Sequence, residues 1–157
     1  MMQRFIAPVA VAASLAISAG ATAQAQPAQP HSLGGYVGLT DRKDADLTIG
    51  AEYEYRLQQR WGLGAVLEWT PDAFPRDNDA TLLMGTANFY PVERLKLIGG
   101  LGVEFTDFDD ELRGRIGASY DVFTPEDQGF YLTPRLSLDF GDRDEAVGFG
   151  ARLGFPF

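Results

Sequence analysis

The chain has 157 residues, 45% hydrophobic and 22% charged, with 13 basic and 22 acidic residues for a formal net charge of −9. That is length for one core but hardly for two domains, and only one stretch is apolar for long enough to be a membrane helix, which excludes a helical membrane bundle. Zero Cys excludes a disulfide framework, a thiolate metal site and a cysteine nucleophile, and the acidic balance makes nucleic acid a poor partner.

In chain order, residues 1–25 read as a secretory signal peptide. Arg4 is the positive n-region, Phe5 to Gly20 is uncharged and apolar, and Ala21-Thr22-Ala23 and Ala23-Gln24-Ala25 both match the A-x-A cleavage pattern. Cleavage is expected after Ala25, with Ala23 the alternative. Residues 26–32 form a Pro-rich lead-in. Removing Arg4 with the signal takes the net charge to −10.

From Leu33 to Phe157 the period is 2, not 3.6. Leu47, Ile49, Ala51, Tyr53, Tyr55 and Leu57 alternate with Thr48, Gly50, Glu52, Glu54 and Arg56, and the same rhythm recurs to the end of the chain. Eight strands are predicted, over about 33–40, 45–58, 60–70, 80–91, 94–106, 111–123, 129–141 and 145–157, with turn chemistry between them. The connections are expected to alternate between tight and slightly longer, as in an up-and-down antiparallel meander. Closing such a meander into a barrel removes its exposed edges. Pro134 falls mid-strand, where a bulge is expected. Leu82 and Met84 fall on the wrong face for a clean pattern in the fourth strand.

Three features place the apolar face outside, against a membrane. Gly34, Gly38, Gly50, Gly62, Gly64, Gly100, Gly102, Gly117, Gly148, Gly150 and Gly154 sit on the polar face, and a narrow eight-stranded lumen needs their small volume. The aromatics on the apolar face collect at strand ends: Tyr55, Trp61, Phe89, Tyr120, Phe130, Phe155 and Phe157 at one, Trp69, Phe105, Phe140 and Phe149 at the other. Two such girdles match two membrane interfaces. The polar face carries the acids Glu52, Glu54, Glu68, Glu104, Asp121 and Asp139 and the bases Arg56, Lys96, Arg113, Arg115, Arg135 and Arg152. Six of each sign is neutral, as a closed interior requires, because an unpaired enclosed charge costs several kcal/mol. The fold expected is therefore all-β, an eight-stranded antiparallel up-and-down transmembrane β-barrel over 33–157, with its lumen plugged by paired charges and by Tyr36, Tyr90 and Tyr131.

The mature chain resembles the small OmpA/OmpX-type outer-membrane β-barrel family. The most specific element is the alternating end of the chain, Phe149, Ala151, Leu153, Phe155 and Phe157, which looks like the sorting signal read by the barrel-assembly machinery. The Gly-rich first strand and Ala87-Asn88-Phe89-Tyr90-Pro91 before a tight turn are similar to that family too. The resemblance implies the outer membrane of a Gram-negative cell, reached through the periplasm. It also implies outer-membrane lipid and lipopolysaccharide as surroundings, and the assembly machinery as a partner during insertion. A monomer is expected, and no cofactor. The short outer connections and the absence of a following peptidoglycan-binding domain depart from the family pattern.

Catalysis is not expected. The single His, His31, lies in the lead-in and reads as a solvated linker residue, so a Ser-His-Asp arrangement has no base inside the barrel. Glu52 and Glu54 lie about 7 Å apart on one face, and an ion-pair network with Arg56, Arg113, Arg115 and Arg135 is preferred to a shared-proton or cation site. Asp107, Asp109, Asp110 and Glu111 resemble half of a calcium loop, but Leu112 stands where Gly is needed and no Glu closes the loop at Ala118. A solvated acidic turn is preferred there, with loose divalent bridging to lipopolysaccharide phosphates as an intermediate. A non-enzymatic structural role in the envelope is expected. The alternatives are a narrow pore for ions or small solutes and a surface adhesion or binding module, with a lipid-modifying enzyme last. The four longer turns hold thirteen acids against four bases, which puts the net acidity on one rim.

Overall fold

A computed structural model describes residues 28–42, 44–71, 79–107, 110–122, 129–142 and 144–157. The expected signal peptide over 1–25, the acids Asp72, Asp77, Asp109, Glu126 and Asp127 and the bases Lys43, Arg76 and Arg143 lie outside them. The described residues form eight strands: β1 (His31–Asp41), β2 (Ala45–Gln58), β3 (Trp61–Thr70), β4 (Ala80–Val92), β5 (Leu95–Thr106), β6 (Asp110–Tyr120), β7 (Tyr131–Phe140) and β8 (Glu145–Pro156). Each pairs antiparallel with the next, and β8 returns to β1, so the sheet closes. The ladder has no free edge, which meets the hydrogen-bonding demand of a backbone that crosses lipid.

The period of 2 sends alternate side chains through the wall and away from it. Among the described residues, 28 large apolar side chains are exposed on the outside and only eight hydrophobic residues are buried. Leu112 is 66% and Phe149 62% exposed. Water-soluble proteins do not carry such a continuous apolar surface, so the outer face is the one that meets lipid.

The inward glycines are small for a steric reason. A Cβ built on any of the eleven would lie under 3.0 Å from another atom. At Gly102 it would meet the Leu83 carbonyl and the Met84 backbone, and at Gly154 the Tyr131 ring. Outward glycines differ. Gly35 has nothing within 4 Å of such a Cβ, and Gly99 only one carbonyl oxygen at 4.0 Å. Gly114, also outward, lies under the ring of its cross-strand partner Phe140, which covers the backbone that glycine leaves bare.

Leu82 and Met84 break the clean alternation of β4 as expected. They face the lumen and form, with Val66, a buried apolar layer whose room comes from Gly100 and Gly102 on β5. Several other expectations need correction. Pro134 makes no bulge and stays in register with Ala151 of β8. The register shifts lie instead between Arg56 and Gln58 and between Phe89 and Val92, each beside a two-residue turn. The connections do not alternate cleanly in length. At the end bearing the termini, 59–60 and 93–94 are tight, but β6 stops at Tyr120 and β7 starts at Tyr131, so 121–130 is the longest connection. Pro134 stands where the continuous β6–β7 register ends, next to Ser119↔Arg135. Finally, His31 is no linker residue. It opens β1, and its backbone pairs with Phe157 in both directions, closing the barrel.

Replacing Gly102 with Ala should lower stability by about 1–3 kcal/mol, the cost of overpacking a filled interior. Gly99→Ala should change it by less than about 0.5 kcal/mol. Urea unfolding of the two variants in lipid vesicles, read by the heat-modifiable gel shift, separates them.

Candidate functional site: a charged lumen and a polar funnel

The twelve charged residues predicted for the inner face come from six different strands and one strand extension. Ten of them are buried, while Arg56 and Asp121, nearest the end bearing the termini, are half-buried. Glu52 and Glu54 stand two residues apart on β2, so both point inward. Lys96 Nζ donates to Glu52 at 2.6 Å and to Glu54 at 3.3 Å. Arg135 Nη1 donates to the other Glu52 oxygen at 3.4 Å, while its Nη2 donates to Glu68. Arg115 bridges Glu68 at 2.9 and 2.6 Å and Asp139 at 2.5 and 2.6 Å, a fork engaging both oxygens of each carboxylate. Arg152 lies 3.6 Å from Glu52. These eight side chains form one connected lattice of four acids and four bases, drawn from β2, β3, β5, β6, β7 and β8.

Tyrosines extend the lattice. Tyr90 donates to Glu54 and has the Arg56 guanidinium stacked over its ring at 3.5 Å. Tyr36 has Arg135 at 3.8 Å over its ring. Tyr131 is bonded to Arg152 and to Ser32. Stacking a guanidinium on a ring covers a charge that has no water above it.

Towards the opposite end a second cluster centres on Arg113. It contacts Glu104 at 3.1 Å, Glu111 at 3.0 Å and Asp144 at 2.5 Å, and Arg42 closes on Glu104 from the β1–β2 turn. Glu111 therefore faces Arg113, while Asp109 of the same acidic run lies outside the described residues. Among the described residues no group of three or more acidic or His side chains could hold a metal ion. Arg42 and Asp144 were assigned to the rim by sequence. A position next to a turn carries no signal of whether its side chain bends inward. A hydroxyl ladder was also missed: Thr48 meets Thr40 at 2.7 Å and Thr70 at 2.8 Å, tying β1, β2 and the end of β3.

At the end bearing the termini the lumen widens into a funnel of about 570 Å³, with Glu54, Arg56, Tyr90, Lys96, Tyr131 and Arg152 in its wall. Glu54, Lys96 and Arg152 belong to both the funnel wall and the ion-pair lattice, whose other members do not line the funnel. His31 is elsewhere. It packs on the outer side with Tyr53, Tyr55 and Phe157, its Nδ1 2.7 Å from the Tyr53 hydroxyl and its ring stacked on Phe157 at 5.5 Å.

The outward aromatics fall at the two ends of the strands. Tyr55, Trp61, Phe89, Tyr120, Phe130 and Phe155 sit near the termini, with Trp61 and Phe89 in contact at 4.8 Å across β3 and β4. Trp69, Phe105, Phe140 and Phe149 sit near the other end. Along β8, Phe149, Ala151, Leu153 and Phe155 share the outer face, and Phe157 follows them.

No family model matches the sequence, and no curated protein does. Solved structures do. The Yersinia pestis outer-membrane protein Ail in a phospholipid nanodisc is 13% identical over 80% of this chain and 99% of that one, with a TM-score of 0.56. The N-terminal β-barrel domain of Pseudomonas aeruginosa OprF is 17% identical over 82% and 98%, TM-score 0.54. A de novo designed transmembrane β-barrel is 15% identical over 80% and 95%, TM-score 0.56. The fold is that of the small eight-stranded transmembrane barrels. At these identities the likeness concerns the backbone, and the lumen chemistry has to be read from this chain's own residues.

Arg115→Met should destabilise the barrel by about 3–5 kcal/mol, because Asp139 would be left buried without its cation and Glu68 with Arg135 alone. Arg94→Met, on an exposed turn, should leave the urea midpoint in vesicles unchanged.

Proposed function

We propose that this chain is an integral outer-membrane β-barrel of a Gram-negative envelope, with a non-enzymatic, structural role and a lumen closed by its ion pairs. The observation that carries the reading is the unbroken run of contacts Tyr90–Glu54–Lys96–Glu52–Arg135–Glu68–Arg115–Asp139 through the interior. An ion entering must displace charges that already satisfy one another, in a low-dielectric wall where each lost partner is costly. The apolar Val66–Leu82–Met84 layer adds a second obstacle, since a dry constriction resists water as well as ions.

The non-enzymatic reading is supported by His31, which packs among aromatics on the outer side, apart from the funnel. The acidic end is expected to face outward and the end bearing the termini to face the periplasm, with lipopolysaccharide around the first and phospholipid around the second. Three of the four outer connections are short, three residues at 42–44 and 107–109 and four at 141–144, so that only 71–79, nine residues long, offers length for adhesion. Outer-membrane lipid and, during insertion, the assembly machinery that reads the Phe149-to-Phe157 face are the partners proposed, for a monomer.

Planar-bilayer recording tests the closed lumen. The purified barrel should give no steady conductance above the bare bilayer. Stable unitary channels would overturn the reading in favour of a narrow pore.

A further inference from the structure

One seam of the barrel is weaker than the rest, and it borders the funnel. Seven of the eight neighbouring strand pairs are registered over nine to eleven residues; β6 and β7 share six, from Gly114↔Phe140 to Ser119↔Arg135. The cause is Pro134. The Leu132 carbonyl accepts from Val122 N–H at 3.0 Å, so Leu132 turns its backbone edge to β6. By the two-residue alternation of a ladder Pro134 turns the same way, and it has no N–H to give. Beyond Ser119, Pro134 has no N–H to return to Tyr120, and the seam continues through Val122 N–H donating to the Leu132 carbonyl at 3.0 Å and Thr133 Oγ1 donating to Asp121 at 2.6 Å.

The two sides of this seam have opposite chemistry. Asp121 and Tyr131, one from each edge, both line the funnel. Their neighbours Tyr120, Val122 and Leu132 are exposed apolar residues on the lipid face. The funnel carries Arg56, Arg94, Lys96 and Arg152 alongside Glu93 and Asp121, cations for a phosphate and carboxylates for an ammonium. Arg94 makes no ion pair with any described residue. A polar chamber of both signs, bordered towards lipid by the shortest strand contact of the barrel, matches an amphiphile with a phosphate-and-amine head and apolar tails.

We propose that the funnel binds the headgroup of a zwitterionic phospholipid whose acyl chains leave through the β6–β7 seam into the surrounding lipid. The phosphate faces Arg94 and Arg152, the ammonium faces Asp121 and Glu93, and the tails pass between Tyr120 and Leu132. This goes beyond a purely structural barrel and does not depend on whether the lumen conducts.

The test uses the folded barrel in uncharged detergent micelles and backbone-amide NMR. Two probes are titrated: short-chain dihexanoylphosphatidylethanolamine, and glycerophosphoethanolamine, which is the same head without tails. The lipid should give saturable shifts at Asp121, Tyr131 and Arg152 together with Tyr120 and Leu132. The free head should shift only the funnel residues, about tenfold or more weakly, because its tails are missing. Arg94→Glu, on an exposed turn, should weaken both probes. Pro134→Val, which restores the missing donor to the seam, should reduce the lipid to the affinity of the free head. Equal affinity for the two probes would overturn the seam route, leaving a site for soluble phosphate esters. Lipid shifts confined to the outer face, or no saturable shift at all, would overturn the site itself.

Discussion

The arrangement rests on the pairing of Glu52 and Glu68 with Lys96, Arg115 and Arg135 inside the barrel. Each of these groups is buried, and none is tolerable there alone. The partners lie far apart in the chain, Glu52 on β2 and Arg135 on β7, so the contacts exist only when the sheet has closed in one register. A slip of one residue in any strand would move its charges to the lipid side. The lattice therefore selects register and closure together, while the ladder bonds supply continuity. The space it needs is created by glycine, since the eleven inward glycines leave no room for even a methyl group.

The outer face follows a simpler constraint. Lipid has no polar groups to bond, so the wall must be apolar throughout and the backbone satisfied within the sheet. Leu, Ile, Val and the end-placed aromatics meet that need with little dependence on identity. This explains how a chain 15% identical to a designed barrel and 13% identical to a natural one can share their backbone. What varies freely between such proteins is the inside. Here it holds a charge lattice, an apolar layer on β3 and β4, and a funnel at one end.

Most of the wall was legible in the sequence because a strict period of 2 is hard to read any other way. All eight strands lie within a few residues of the runs that Leu47–Leu57 and Val147–Phe157 typify. Three kinds of feature were not legible. The first is where a strand stops. Pro134 looked like a bulge, and only the direction of its backbone edge reveals that it shortens the ladder of the neighbouring strand instead. The second is the fate of residues beside turns: Arg42, Glu111 and Asp144 reach Glu104 or Arg113 because of strand stagger, which alternation does not encode. The third is non-local packing. Leu82 and Met84 break a polar-inside rule, and they fit because Gly100 and Gly102, on the next strand, leave a hollow. His31 gains its place only through Phe157, at the far end of the chain.

The central claim, that the lumen is closed by a buried lattice of paired charges, is tested most directly at the Arg115 Nε–H group, which donates to Asp139 at 2.5 Å. Its exchange with solvent can be followed by ¹⁵N NMR of the barrel in micelles, with the exposed Arg94 as the internal reference. The lattice predicts that Arg115 Nε–H exchanges far more slowly than Arg94 Nε–H and persists across the neutral pH range. Exchange at the same rate as Arg94 would mean that water reaches the middle of the barrel, and would contradict it.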